Sequence, residues 1–220
     1  MSDRVPSVTG DLPKFALRIV PRSEITRVHL VRHGVVSDEW RDRVYGQLDA
    51  PLSEKGLAQA EALSARMAST PLDFIYASDL CRALDTARAI ARPHALEVSA
   101  VPAFREASYG HWQGRRWMDI LSEDADEVRA IYADFGGARM KDGESLAELG
   151  QRVMPAFREI VERHRGESVA IASHGGVIRV ILADALRMEL AATARIEQFN
   201  CSLNVLDYGP EGVRVRLVNG

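Results

Sequence analysis

The sequence predicts an α/β fold of three layers, a mostly parallel central sheet with helices on both faces. Three observations carry this reading. β-branched runs alternate with helical patterns from Thr26 onward, Val169-Ala170-Ile171-Ala172 is wholly apolar as a doubly covered strand must be, and polar, glycine-containing segments recur where strands would end. Residues 1–24, rich in Pro, Ser and Asp, read as an arm laid on a single domain over residues 25–220. Such an arm would cover a sheet edge, mediate a homodimer or stay loose. Thr26 to Val31 is the first strand. Leu57, Ala60 and Met67 share the face of a helix that begins near Ser53, whose hydroxyl suits an N-cap. Phe74 to Ala77 is the second strand, halted by Ser78-Asp79 as the cap of a helix with Leu80, Leu84, Ala87 and Ala91 on one face. Ala95 to Val98 is expected as the third strand. Helices are expected near residues 116–135 and 144–165, a buried strand over Ser168 to Ala172, and a further helix from about Val177. Leu203 to Leu206 and Val213 to Val218 flank Gly209-Pro210-Glu211-Gly212, which reads as a closing hairpin.

Composition excludes several classes of function. With 220 residues, 46% hydrophobic and 27% charged, the chain is neither disordered nor fibrous. No apolar stretch approaches the roughly 20 residues of a membrane span, and Phe15 to Val20 is too short for a signal-peptide core, so a cytoplasmic protein is expected. Two cysteines, Cys81 and Cys201, imply neither a disulfide framework nor a zinc site. The net charge of −3 supplies no global basic field for nucleic acid. Only Lys14, Lys55 and Lys141 among the 28 basic residues are lysine. Codon usage explains an arginine excess as well as carboxylate or phosphate recognition does, and composition does not choose.

The chemistry sits at the carboxyl ends of the expected strands, where open α/β sheets form their ligand crevices. Arg32-His33-Gly34 follows the first strand. Ser173-His174-Gly175-Gly176 follows the buried strand and opens a helix, so His174 and several free N–H groups face the same side. Arg82, in the first turn of the helix after the second strand, is placed to reach that crevice. Two imidazoles and two guanidinium groups around a helix N-terminus suit a multiply charged anion, and a phosphoryl group is the natural occupant. A neutral His33 nitrogen would attack phosphorus while Arg32, Arg82 and protonated His174 neutralise the transferring group. Glu106, in Phe104-Arg105-Glu106, is the best-placed acid to protonate the leaving alkoxide.

Five segments in this order resemble the histidine phosphatase superfamily, with its phosphoglycerate-mutase-like fold. They are Arg32-His33-Gly34; Ser78-x-Leu80-x-Arg82-Ala83 with Thr86-Ala87; Phe104-Arg105-Glu106 before Gly110-x-Trp112-x-Gly114; Gly143-Glu144-Ser145; and Ser173-His174-Gly175-Gly176. The resemblance covers about residues 26–208. It implies His33 as the phosphorylated nucleophile, Arg32, Arg82 and His174 as the phosphate pocket, Glu106 as proton donor, and Tyr45, Gly46, Tyr109 and Gly175 as further substrate contacts. It implies no metal and no organic cofactor, and a small phosphorylated metabolite as the partner. Mutases of the superfamily carry a long insertion before the Gly-Glu-Ser segment. Here 37 positions separate Glu106 from Gly143, which resembles the phosphatase branch.

Two positions depart from the family pattern. Many members carry Ser or Thr two residues after Arg-His-Gly and Asn five residues after it, where this chain has Val36 and Glu39. Glu39 would repel phosphate, so it is expected to turn outward or to meet a cationic part of the substrate. His29, His94, His111 and His164 lack convergent partners and read as structural or exposed. Arg41, Arg43, Arg115 and Arg116 read as solvated, with a role toward a second anionic group as the alternative. The competing functions are a cofactor-dependent phosphoglycerate mutase and a non-catalytic module that holds a phosphorylated ligand. A serine hydrolase using Ser173 is disfavoured, because the nucleophile elbow needs Gly where Ile171 stands.

Overall fold

The computed structural model describes residues 21–220. The expected arm lies outside the described residues except for residues 21–24. Six strands of the described residues form one sheet: β1 (Thr26–Arg32), β2 (Phe74–Ala77), β3 (Val98–Ala100), β4 (Ser168–Ser173), β5 (Leu203–Gly209) and β6 (Gly212–Leu217). Their order across the sheet is β3-β2-β4-β1-β5-β6; the first four run parallel, and β5 and β6 make an antiparallel edge. Among the described residues six α-helices accompany them: α1 (Glu54–Met67), α2 (Cys81–Ala91), α3 (Trp117–Glu123), α4 (Ala125–Ala133), α5 (Leu146–Arg163) and α6 (Gly175–Leu186).

The strands alternate between two cores, as a period of two requires. Val28 and Leu30 of β1 and Val169 and Ile171 of β4 pack with Phe157 of α5 and Ile178 and Ile181 of α6. Val31, Ala170 and Ala172 face the other way, against Leu63 of α1 and Ile90 of α2. Helices thus cover both faces. A third, smaller core joins Trp112, Ile120, Val128 and Met140 under α3 and α4. Among the described residues no helix is long and apolar enough to cross a membrane.

Local chemistry explains where elements begin. Ser53 caps α1, its Oγ accepting from the Gly56 N–H at 3.0 Å. Ser145 and Glu148 form a reciprocal capping box at α5. Ser78 and Asp79 do not cap α2 as the sequence suggests. Leu80 holds the N-cap position, and Asp49 from a distant loop accepts the Cys81 N–H at 2.7 Å. Asp79 is drawn away by Arg105, whose Nε lies 2.7 Å from its carboxylate. The third strand begins at Val98, not Ala95, because Arg92–His94 form a 3-10 turn that ends with Ala95 left-handed. The helix expected over residues 116–135 breaks at Asp124, and α6 starts at Gly175, two residues before the expected position.

Candidate active site

Sheet register brings the two imidazoles together. Arg32 and Ser173 are direct partners across β1 and β4, and the His33 N–H donates to the Ser173 carbonyl at 3.0 Å. The residues that follow each strand, His33 and His174, therefore sit side by side, ring centroids 5.2 Å apart and edge to face. Both rings are buried. The Nδ1 of His33 lies 2.7 Å from the Gly34 carbonyl. A carbonyl only accepts, so Nδ1 carries the hydrogen and Nε2 keeps its lone pair. Burial, then Arg82 and Arg32, hold His33 well below the ordinary imidazole range, so the ring is neutral. His174 is held down in the same way, by burial, Arg82, His33 and Arg32.

His174 is fixed from the neighbouring strand. Ser78, just past β2, accepts from the Leu80 N–H at 3.4 Å and places its Oγ 2.9 Å from His174 Nε2. With that hydroxyl donating to Nε2, the proton of His174 sits on Nδ1, which is buried without a hydrogen-bond partner. Two guanidinium nitrogens share this condition. Arg32 donates through Nη1 to the Gln198 carbonyl while its Nε has no partner. Arg82, fully buried, gives Nη1 to the Leu48 carbonyl at 2.8 Å and Nη2 to the Gly46 carbonyl at 2.6 Å, and its Nε is likewise unpartnered. A buried donor left unpaired costs about 1–3 kcal/mol. Three such donors near the His33 ring form a set of the kind that can bind the oxygens of a phosphoryl group. Arg82 also lies over the Tyr45 ring, 4.9 Å from its centroid.

Glu106 is held from two directions. Its Oε1 accepts from the Ala107 N–H at 2.9 Å and its Oε2 from the Gly176 N–H, in the first turn of α6, at 3.1 Å. A Cβ at Gly176 would lie 2.3 Å from Oε1, so any side chain there would displace the Glu106 carboxylate from this position. The backbone carrying Glu106 is gripped by Arg152 of α5, which donates to the carbonyls of Ala103, Arg105 and Glu106 and pairs with Glu144. Burial works against the Glu144 charge, but Arg152 and the Ser108 N–H outweigh it and hold this carboxyl below its ordinary range. Ser173 adds an anchor, its Oγ donating to the Phe104 carbonyl at 2.8 Å, an engagement with the backbone and not with an imidazole.

Above this floor opens a cavity of about 510 Å³. Arg32, His33, Tyr45, Gly46, Glu106, Tyr109 and Gly175 line it. Arg82 and His174 do not; they stand behind the wall, with only one unpartnered nitrogen each to offer. Burial pushes the Tyr109 phenol above its ordinary range, with Glu106 adding to the effect. Glu39 turns outward, exposed, with its carboxylate on the Trp40 indole N–H at 3.1 Å. Arg43 reaches the cavity, whereas Arg115 pairs with Asp124 and Arg116 with Asp42. His29 and His164 are buried structural side chains, against Ser168 and against Tyr76 and Glu167, while His111 faces Asp124 and Glu127.

Sequence reasoning missed Arg179 and Arg152. Arg179 lines the cavity one helical turn after Gly175, with Nε on the Ile196 carbonyl, and the four-residue spacing on α6 was the available signal. Arg152 carried no local signal. Its partners lie 46–49 residues upstream, apart from Glu144.

The family model described as histidine phosphatase superfamily (branch 1) matches residues 28–220. The metal-independent phosphoserine phosphatase of Arabidopsis thaliana is 34% identical over 196 residues, 88% of this chain and 81% of the relative. A Yersinia pestis (strain Pestoides F) protein named "Probable phosphoglycerate mutase GpmB" is 32% identical over 182 residues, 83% of this chain and 85% of that one. Among solved structures, a mycobacterial glucosyl-3-phosphoglycerate phosphatase superposes with a TM-score of 0.81 at 28% identity, covering 89% of this chain and 99% of its own. The Shigella flexneri alpha-ribazole phosphatase gives a TM-score of 0.80 at 26% identity, with 88% and 96% coverage. The ordered segments that meet at the strand tips and the match over nearly the whole sheet agree: the chain belongs to the histidine phosphatase superfamily, branch 1.

Proposed function

We propose that this protein is a phosphomonoesterase that acts on a small phosphorylated metabolite through a phosphohistidine at His33. The carrying observation is a neutral His33, its Nδ1 tied to the Gly34 carbonyl, beside three buried donors without partners on Arg32, Arg82 and His174. In the first half-reaction Nε2 attacks phosphorus, the P–O ester bond breaks, and Glu106 gives its proton to the departing oxygen. Arg32 and Arg82 hold the phosphoryl oxygens. A dianion beside His174 favours protonation of that ring, which adds a positive charge as negative charge spreads over the transferring group. In the second half-reaction water attacks the phosphohistidine, Glu106 takes the proton from water, and inorganic phosphate leaves. Tyr45, Gly46, Tyr109 and Gly175 surround the organic part of the substrate. Residues 25–220 form one catalytic domain in this reading, and the unpaired Cys81 and Cys201 suit a cytoplasmic setting.

His33→Ala tests the assignment. Hydrolysis of p-nitrophenyl phosphate should vanish with the fold intact, and wild-type protein quenched during turnover should carry acid-labile phosphate; hydrolysis surviving in the variant would refute it. The Yersinia relative keeps a mutase reading in view. The short connection from Glu106 to Gly143 disfavours it. Interconversion of 2- and 3-phosphoglycerate with a bisphosphate primer, faster than phosphate release, would replace the hydrolase reading.

A further inference from the structure

The wall above the phosphoryl floor has a composition of its own. Val44, Trp117, Val128, Ile131, Phe135 and Met140 line it, drawn from the loop before α1, from α3 and α4, and from the segment after α4. Tyr132 stands at the mouth with 65% of its surface exposed. Two polar groups of this upper wall are engaged by the protein itself, while the Tyr132 hydroxyl stands at the rim and Arg179 enters the cavity lower down. The Trp112 indole N–H donates to Asp124 at 3.0 Å, and Arg43 gives Nε to the Glu39 carbonyl and Nη1 to the Gly114 carbonyl. No Ser, Thr, Asn, Gln, Asp or Lys lines the cavity among the described residues, and its single carboxylate is Glu106.

A sugar hydroxyl or an amino-acid ammonium group needs neutral acceptors or a counter-charge once it leaves water, and losing them costs about 1–3 kcal/mol per group. This wall supplies no amide and no carboxylate for such groups; its polar atoms are the Tyr132 hydroxyl at the rim and guanidinium groups, which repel an ammonium. It supplies apolar surface, which rewards each buried methylene. Resting on the phosphomonoesterase reading, we propose that the preferred substrates are phosphomonoesters whose organic group is apolar, an alkyl or aryl chain lying against Val44, Ile131 and Phe135. Phosphate is held below by the charged floor, and specificity comes from hydrophobic burial above it. Such a substrate differs in kind from phosphoserine, on which the Arabidopsis relative is named as acting.

Non-hydrolysable alkylphosphonates, methyl through hexyl, test the wall without turnover. Calorimetric Kd should fall about three- to fourfold per added methylene while the chain stays buried, and kcat/KM for the matching alkyl phosphates should rise in parallel. n-Propyl phosphate should exceed O-phosphoserine in kcat/KM. Phe135→Ala should flatten the series while inorganic phosphate binds as in wild type. Tyr132→Ala, at the exposed rim, gives a second reading that does not strain the core. A Kd independent of chain length, or O-phosphoserine bound more tightly than propylphosphonate, overturns the proposal. A Kd that falls with chain length without any ester hydrolysis supports the apolar wall and refutes the phosphatase reading.

Discussion

Gly176→Ala tests Glu106 as the proposed proton donor without touching a charged residue. The added Cβ would fall 2.3 Å from Glu106 Oε1 and 3.1 Å from Leu149 Cδ2, whereas ordinary contact begins near 3.4 Å. Leu149 is fully buried in the main core and yields little, so the carboxylate must retreat by about 1 Å. It then leaves the Gly176 N–H that aims it. A misplacement of about 1 Å costs on the order of a hundredfold in rate, within the 10²–10⁴ that a general acid supplies. The assay is kcat/KM, which in the proposed mechanism reports only steps through phosphoryl transfer to His33, for n-butyl phosphate against p-nitrophenyl phosphate. The alkyl ester, whose oxygen leaves only when protonated, should lose about a hundredfold. The nitrophenyl ester, a good leaving group unaided, should lose less than about tenfold. Equal losses on both esters would refute Glu106 as the acid, and unchanged activity on both would refute the steric argument.

Two further outcomes follow from groups outside the reacting pair. Arg152→Ala removes the donor that grips the carbonyls of Ala103, Arg105 and Glu106 and strands Glu144; the melting temperature should drop by several degrees and kcat by about tenfold or more, with Arg152→Lys restoring little of either, and a variant with unchanged kcat would discount the grip. Stability should fall as pH drops from 7.5 to 5, because below pH 6.5 the unfolded chain protonates histidines that the native state keeps neutral. For His29, which burial first and Arg27 second hold down to about 4, the loss amounts to roughly 3 kcal/mol by the time pH reaches that value; His33 and His174 act in the same direction. Inorganic phosphate should offset part of the fall by favouring protonated His174. Urea midpoints with and without phosphate measure both effects, and a midpoint that rises toward pH 5 would contradict them.

Much of the site was legible because its residues stand next to strands. Arg-His-Gly and Ser-His-Gly-Gly each follow an apolar run, and parallel pairing of those runs makes His33 and His174 neighbours. What was not legible depends on partners far away in the chain. The position of Arg82 suggested a guanidinium projecting into the crevice, yet its fork is taken by the Gly46 and Leu48 carbonyls, 34–36 residues upstream, and it stands behind the wall. The cap of α2 shifted for the same reason: Asp79 answers to Arg105, and Asp49 takes its place at the helix start. The third strand starts later because the 3-10 turn over Arg92–His94 leaves Ala95 left-handed, which breaks the expected extended run at its first residue. Local patterning reads what a segment prefers, and long-range hydrogen bonds decide which preference is used.

The place of β4 in the sheet has a consequence for when the enzyme becomes competent. β1 and β2 both precede it in the chain, yet they do not touch; β4 lies between them. Of the chain before Ser168, only β1 lies on one side of this position and β2 with β3 on the other, and joining them through β4 requires pairing residues more than 90 positions apart. His174 arrives on the strand that joins them. Recovery of turnover during refolding therefore times the insertion of the keystone strand, while helical signals report only the earlier, local steps.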